Sequence, residues 1–108
     1  MRIAKILGTV TLNRSLPEFA GASLRLAVPM SLANLTGDEK PEAEELVLWD
    51  ELGSGVGDLV ALSEGGEAAQ PFRPLNKPVD AYNAAILDDI DLNETELRKL
   101  NSTSAFPA

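Results

Sequence analysis

The sequence predicts an all-β fold, a small barrel or sandwich of short strands. Five runs with strand character fall within the first ninety residues or so. Glycine-rich corners separate several of them. No strand–helix–strand alternation and no long internal repeat occurs, which argues against a parallel α/β sheet.

The first run, residues 3–12 (IAKILGTVTL), alternates with a period of two. Ala4, Ile6, Gly8, Val10 and Leu12 share one face; Ile3, Lys5, Leu7, Thr9 and Thr11 share the other. Gly8 in mid-strand predicts a bulge or sharp bend. Residues 13–22 are a connector punctuated by Pro17 and Gly21. Residues 23–28 alternate again: Leu24, Leu26 and Val28 point one way, Ser23, Arg25 and Ala27 the other. Pro29 ends ladder pairing on its side. Residues 31–44 are polar, acidic and turn-rich, and read as an exposed loop.

Residues 45–50 (ELVLWD) form a third strand, and a glycine loop, Glu51 to Gly57, leads into a fourth over 58–63. Residues 64–71 are a second glycine-marked turn. Three prolines in residues 71–78 forbid a regular helix. Residues 79–90 read as a short helical turn followed by a strand over roughly 84–90. Residues 93–100 (NETELRKL) read as a helix, with Asn93 as N-cap, Glu96 as capping-box partner and a Glu94–Arg98 pair four apart. Asn101 to Ala108 read as a frayed tail. The expected organisation is one barrel domain over 1–90, then a short helix and tail over 91–108.

With 108 residues, the chain suits one domain with a modest core, and self-association is a common way to add buried surface. Mean hydropathy of -0.02 and 44% hydrophobic residues are ordinary globular values. Nine Lys+Arg against 17 Asp+Glu give a formal net charge of -8. Such a chain, lacking a basic run, is a poor binder of nucleic acid or anionic membrane. Cysteine and histidine are both absent. That excludes Cys/His zinc sites, disulfides, thiol nucleophiles and Ser-His-Asp triads, and removes the commonest general base near neutral pH. The lack of cysteine is compatible with a reducing cytosol. No segment approaches the ~18–20 apolar residues of a bilayer-spanning helix, and the first eight residues are too short and interrupted for a secretory leader. No cofactor and no metal are expected.

The most distinctive feature is the glycine loop 53–57. It differs from phosphate-binding loops, which lead into a helix N-terminus and, in the Walker form, carry a Lys; this one leads into a strand. Three glycines in five residues mean unusual backbone angles or very close approach to another chain, with a plain hairpin turn as the alternative. Asp50, Glu51 and Asp58 flank the loop, and Asp88, Asp89 and Asp91 cluster later. Solvated surface is their simplest reading, with acid–base or Ca²⁺ chemistry as the rival. The scarce cations Arg14, Arg25, Arg73 and Lys77 suit either solubilising surface or ion pairs across a subunit interface. Trp49 and Phe72 read as core or interface anchors.

Several motifs together resemble the CcmL/EutN family of bacterial microcompartment vertex proteins. Met1 to Val10 is similar to the family's M-x-I-A-x-I-x-G-x-V opening. Arg14 and Leu16 to Leu24 resemble its basic residue and following leucine and glycine step. Asp50 to Val60 (DELGSGVGDLV) is similar to its D-x-x-G-A-G-x-G-x-x-V signature, with Ser54 in place of the usual alanine. Glu64 to Ala69 resembles the next turn, but Gln70 stands where an arginine is usual. Pro78 to Ala81 with Ala85 to Asp88 resemble the closing P-x-D-A and I-V-D elements. The resemblance covers residues 1–90.

The resemblance implies a five-stranded OB-like barrel and a non-catalytic homopentamer. Such rings plug the five-fold corners of a protein shell in the cytoplasm, beside hexameric shell proteins. By analogy, Gly53, Ser54, Gly55 and Val56 lie near the central axis. Arg14, Arg25, Asp50, Arg73 and Lys77 are the subunit-interface candidates. Two rivals remain: a monomeric OB-type module for an oligonucleotide or oligosaccharide, which the charge and 5% aromatic content disfavour, and a carboxylate-based site using Asp50, Asp58 or Asp80.

Overall fold

Five strands close into a barrel in the computed structural model, which describes residues 1–74, 77 and 79–101. The strands are β1 (Arg2–Val10), β2 (Leu24–Pro29), β3 (Leu46–Trp49), β4 (Leu59–Glu64) and β5 (Ala81–Ile86). Their order around the barrel is β1-β2-β3-β5-β4. All neighbours are antiparallel except β3 and β5, which meet in parallel at Trp49 and Tyr82. Two α-helices, α1 (Leu32–Thr36) and α2 (Glu94–Asn101), and two 3₁₀ helices, Pro17–Phe19 and Gly65–Phe72, lie between and after the strands.

The alternating face of β1 does what its sequence predicts at its first half, where Ala4 and Ile6 are fully buried. The register with β2 shifts between Ile6 and Gly8, so a bulge sits where the mid-strand glycine suggested. In β2 both faces carry buried residues, with Leu24 and Val28 covered on one and Ala27 on the other, but it is Ala27 that enters the barrel interior. Ala27 lies opposite both Ile6 and Leu46 and joins the core, whereas Leu26 stays half-exposed. The barrel is narrow, and its interior is filled by Ala4, Ile6, Ala27, Leu48, Val60, Leu62 and Ala81. Three alanines in that set let the walls approach. Ile6, Leu48 and Leu62, fully buried, each contribute about 1.5–3 kcal/mol relative to exposure.

Three local expectations need correction. The segment 31–44 is not wholly loop, because Ser31 caps α1: its hydroxyl accepts from the Asn34 amide at 3.2 Å, and the Asn34 side chain accepts from the Ser31 amide at 2.9 Å. Gly37 ends that helix with φ +83°. Residues Gly65–Phe72 wind into a 3₁₀ helix rather than a simple turn. The fifth strand starts at Ala81, not near 84, and no helical turn precedes it among the described residues. Tyr82 and Asn83 alternate with the core-facing register of β4, and this long-range pairing overrides the local Asp80 capping signal.

Helix α2 forms where predicted. The Asn93 Oδ1 accepts from the Glu96 amide at 3.0 Å, and Arg98 lies 3.8 Å from Glu94. The Glu96 carboxylate bonds the Lys99 ammonium at 3.2 Å. The expected tail lies, beyond Asn101, outside the described residues, as does Pro78.

Candidate functional site

The glycine loop is shaped by two carboxylates, one at each end. Asp50 follows β3 directly and is 1% exposed. Its Oδ1 accepts from the Leu52 amide at 3.1 Å and from the Asn83 side chain at 2.9 Å. Its Oδ2 accepts from the Ser54 amide at 2.9 Å and lies 3.5 Å from the Arg25 guanidinium. Arg25 in turn donates from Nε to the Ser54 carbonyl at 3.0 Å. Asp58 closes the other end: its Oδ2 accepts from the Gly55 amide at 2.8 Å, and its own amide donates to the Gly55 carbonyl at 3.0 Å.

This arrangement explains why the loop needs those residue types. A short acid at position 50 reaches two amides of the following turn, as Asp does in Asx-type turns. Gly53 (φ +75°) and Gly57 (φ +93°) take up left-handed angles that would strain a residue with a side chain. The loop is then stitched to the barrel wall. The Gly57 amide donates to the Ile6 carbonyl at 2.9 Å, and the Ile6 amide to the Asp58 carbonyl at 2.9 Å.

Burial pushes the Asp50 carboxyl upward, but the Asn83 side chain and the Leu52 and Ser54 groups pull it down further, so its pKa ends below the usual carboxylate value. Asn83 is itself fully buried. The Ser54 side chain lies against this carboxylate, and its hydroxyl is buried with no well-formed hydrogen bond.

Beside the loop, an aromatic row runs Phe19, Trp49, Phe72, Tyr82, with ring centroids 6.1, 4.9 and 5.6 Å apart in turn. The Lys77 ammonium stands 5.7 Å above the Trp49 ring and donates to the Glu18 carbonyl at 2.9 Å. The Tyr82 hydroxyl donates to Glu51 at 2.7 Å; burial first, and then Glu51, push its pKa up to about 12. Trp49 is almost wholly covered, so it anchors the row within the chain.

The structure therefore divides the residues singled out in the sequence. Arg25 and Asp50 are joined to each other within one chain and frame the loop from behind. Gly53, Ser54, Gly55 and Val56 form the loop crest; Ser54 is buried, whereas Val56 is 75% exposed. Arg14 and Arg73 are exposed, and Lys77 is held over Trp49. Asp88 and Asp89 sit away from the loop, along the groove beside α1. Sequence reasoning missed Asn83. A lone asparagine in a strand carries no signal until the register of β5 sets it beside Asp50.

Fold and site together define a small OB-like β-barrel whose distinctive surface is backbone, presented on a carboxylate-clamped glycine loop. The family described as "Ethanolamine utilisation protein EutN/carboxysome" matches residues 1–88, and the chain belongs to it. It is 31% identical over 90 residues to the bacterial microcompartment shell vertex protein PduN of Salmonella typhimurium, covering 83% of this chain and 98% of that one. It is 29% identical to the carboxysome shell vertex protein CcmL of Gloeobacter violaceus, covering 90% and 92%. The solved structure of that CcmL superposes with a TM-score of 0.75 at 27% identity, over 86% of this chain and 91% of the other. The pentameric microcompartment shell protein GrpN of Rhodospirillum rubrum superposes with a TM-score of 0.72 at 25% identity, over 86% and 100%.

Proposed function

We propose that this chain is a structural subunit of a bacterial microcompartment shell, assembling as a ring of five that closes the shell's vertices. The role fits a barrel whose most specialised region is a backbone loop. A contact between two different patches of one chain closes into a ring when its rotation permits.

One observation carries the placement of the loop crest at the ring's centre. Gly53 and Gly57 are required by their own backbone angles, but Gly55 is not. A Cβ on Gly55 meets nothing closer than the Asp58 Oδ2, at 3.9 Å, an ordinary contact. Within one chain a side chain fits at this position, so a glycine there is consistent with crowding from another chain. Five loops converging on an axis supply that crowding. On this reading Gly53, Ser54, Gly55 and Val56 surround the axis, while Arg14, Arg73 and Lys77 face a neighbour. Arg25 and Asp50 act from behind by fixing the crest. Five copies of a chain at -8 repel one another, so the interface has to combine apolar burial with placed ion pairs. Hexameric shell proteins are the expected lateral partners.

Solution mass tests the ring directly. Light scattering at micromolar concentration is expected to return five chains; a single chain sinks the reading. Gly55→Val tests the axis. It should leave the circular dichroism of the barrel unchanged and abolish the five-chain species in sedimentation. An intact ring in that variant would remove Gly55 from the centre.

A further inference from the structure

Helix α2 lies beyond residue 88, where the family match ends. It is eight residues long and lies only lightly against the rest of the described chain: Leu97 is half-buried, and its other side chains from Glu94 to Leu100 are exposed. Helices shorter than about 12–15 residues are marginal in water by themselves. One of this length that is so lightly supported by its own chain gains from a partner. Its composition says which kind. Leu97 and Leu100, three apart, make an apolar stripe, and Leu100 is exposed. The charges are segregated, with Glu94 and Glu96 in the first turn and Arg98 and Lys99 in the last.

The barrel offers a matching surface. A groove of about 250 Å³ is lined by Leu35 of α1, Leu59 of β4, and Leu87, Ile90 and Leu92 of the segment after β5. All five are half-buried, and Asp88 and Asp89 rim the groove. Apolar floor meets apolar stripe, and acidic rim meets basic last turn. The existing pair of Arg98 with Glu94 is solvent-exposed and so costs little to exchange.

The helix cannot reach its own groove. Only Asn93 separates Leu92, in the groove, from Glu94, the first helical residue, and Asn93 is committed to the cap. Reversing a chain onto a packed helix takes roughly 2–5 residues. We infer that α2 docks into the Leu35–Leu59–Leu87 groove of a neighbouring copy of this chain, with Arg98 and Lys99 against that copy's Asp88 and Asp89. The inference rests on the self-association proposed above and gives it a second, arm-like contact, additional to the barrel interface.

The chain has no cysteine, so a disulfide test is clean. Leu35→Cys and Leu100→Cys are introduced together, the native mass is measured under reduction, and the protein is oxidised and run on a non-reducing gel. A ladder of covalent multimers is expected. A bond confined within single chains, or no bond, overturns the inference, and a reduced mass of five chains in that case leaves the ring standing. A ladder from a species of other stoichiometry supports the docking and overturns the ring. A second set avoids the apolar positions. Arg98→Glu with Lys99→Glu should weaken association about tenfold or more by sedimentation. Adding Asp88→Lys and Asp89→Lys should restore it; failure of the rescue overturns the pairing.

Discussion

Removing the Asp50 carboxylate should cost far more than an ordinary acidic substitution. The group is 1% exposed and accepts from three donors, the Leu52 and Ser54 amides and the Asn83 side chain, with Arg25 at 3.5 Å. Hydrogen bonds to a charged group are worth about 1.5–3 kcal/mol each, but they share one acceptor and do not add. Breaking a buried pair while leaving its partner behind typically costs about 3–5 kcal/mol. Asp50→Ala should therefore lose about 3–5 kcal/mol, a large share of the ~5–15 kcal/mol that stabilises a domain. Asp50→Asn should not rescue it. Its three hydrogen-bond partners are all donors, and an amide in its place turns an NH₂ toward one of them. Urea unfolding at fixed, low protein concentration, read by circular dichroism, gives the difference. A loss below about 1 kcal/mol for Asp50→Ala would refute the clamp. The pH dependence has a definite sign. The folded pKa of Asp50 is lowered, so its contribution is present above the unfolded carboxylate value of about 3.9 and disappears as pH falls through the folded value. Asp50→Asn should flatten that acid limb of the stability curve.

Further outcomes follow from the same geometry. Tyr82 is the sole tyrosine, so tyrosinate absorbance reads it alone: the wild type should titrate near pH 12, and Glu51→Gln should move the midpoint toward 10. Because the folded pKa is raised, that contribution to stability is full below pH ~10 and fades as pH rises through the folded value. Leu48→Ala, at a fully buried core position, should cost about 2–5 kcal/mol in denaturant unfolding. Gly57→Val should destabilise the barrel itself by about 1–2 kcal/mol or more, because φ +93° suits no β-branched residue. Gly55→Val should affect association alone, and equal losses of barrel stability in the two variants would contradict the division of roles.

Much of the barrel could be read from the chain because its signals are local. Period-two alternation found β1, and the lone mid-strand glycine marked its bulge. Glycine and proline punctuation bounded β3 and β4. Asn93 and Glu96 marked α2. What stayed hidden depends on pairing across the fold. The inward choice of Ala27 over Leu26 is decided by the narrow interior, not by hydrophobicity along β2. Ser31 and Asn34 cap each other in a helix of five residues, too short to show periodicity. The glycine loop was conspicuous and its flanking acids were noted, but the Asp50–Arg25–Asn83 cluster brings together the start of β2, the residue after β3 and the middle of β5. No spacing rule connects positions 25, 50 and 83.

The cylinder wall is laced unevenly. Four of its junctions are long antiparallel ladders, whereas the register joining β3 to β5 consists of Trp49 against Tyr82. Side chains close that seam instead: the Asn83 amide donates to Asp50 at 2.9 Å, the Tyr82 hydroxyl donates to Glu51 at 2.7 Å, and Phe72 stands between the Trp49 and Tyr82 rings. The molecule's single tryptophan and single tyrosine flank that seam, so any loosening of it is visible in its own ultraviolet emission, without any attached dye.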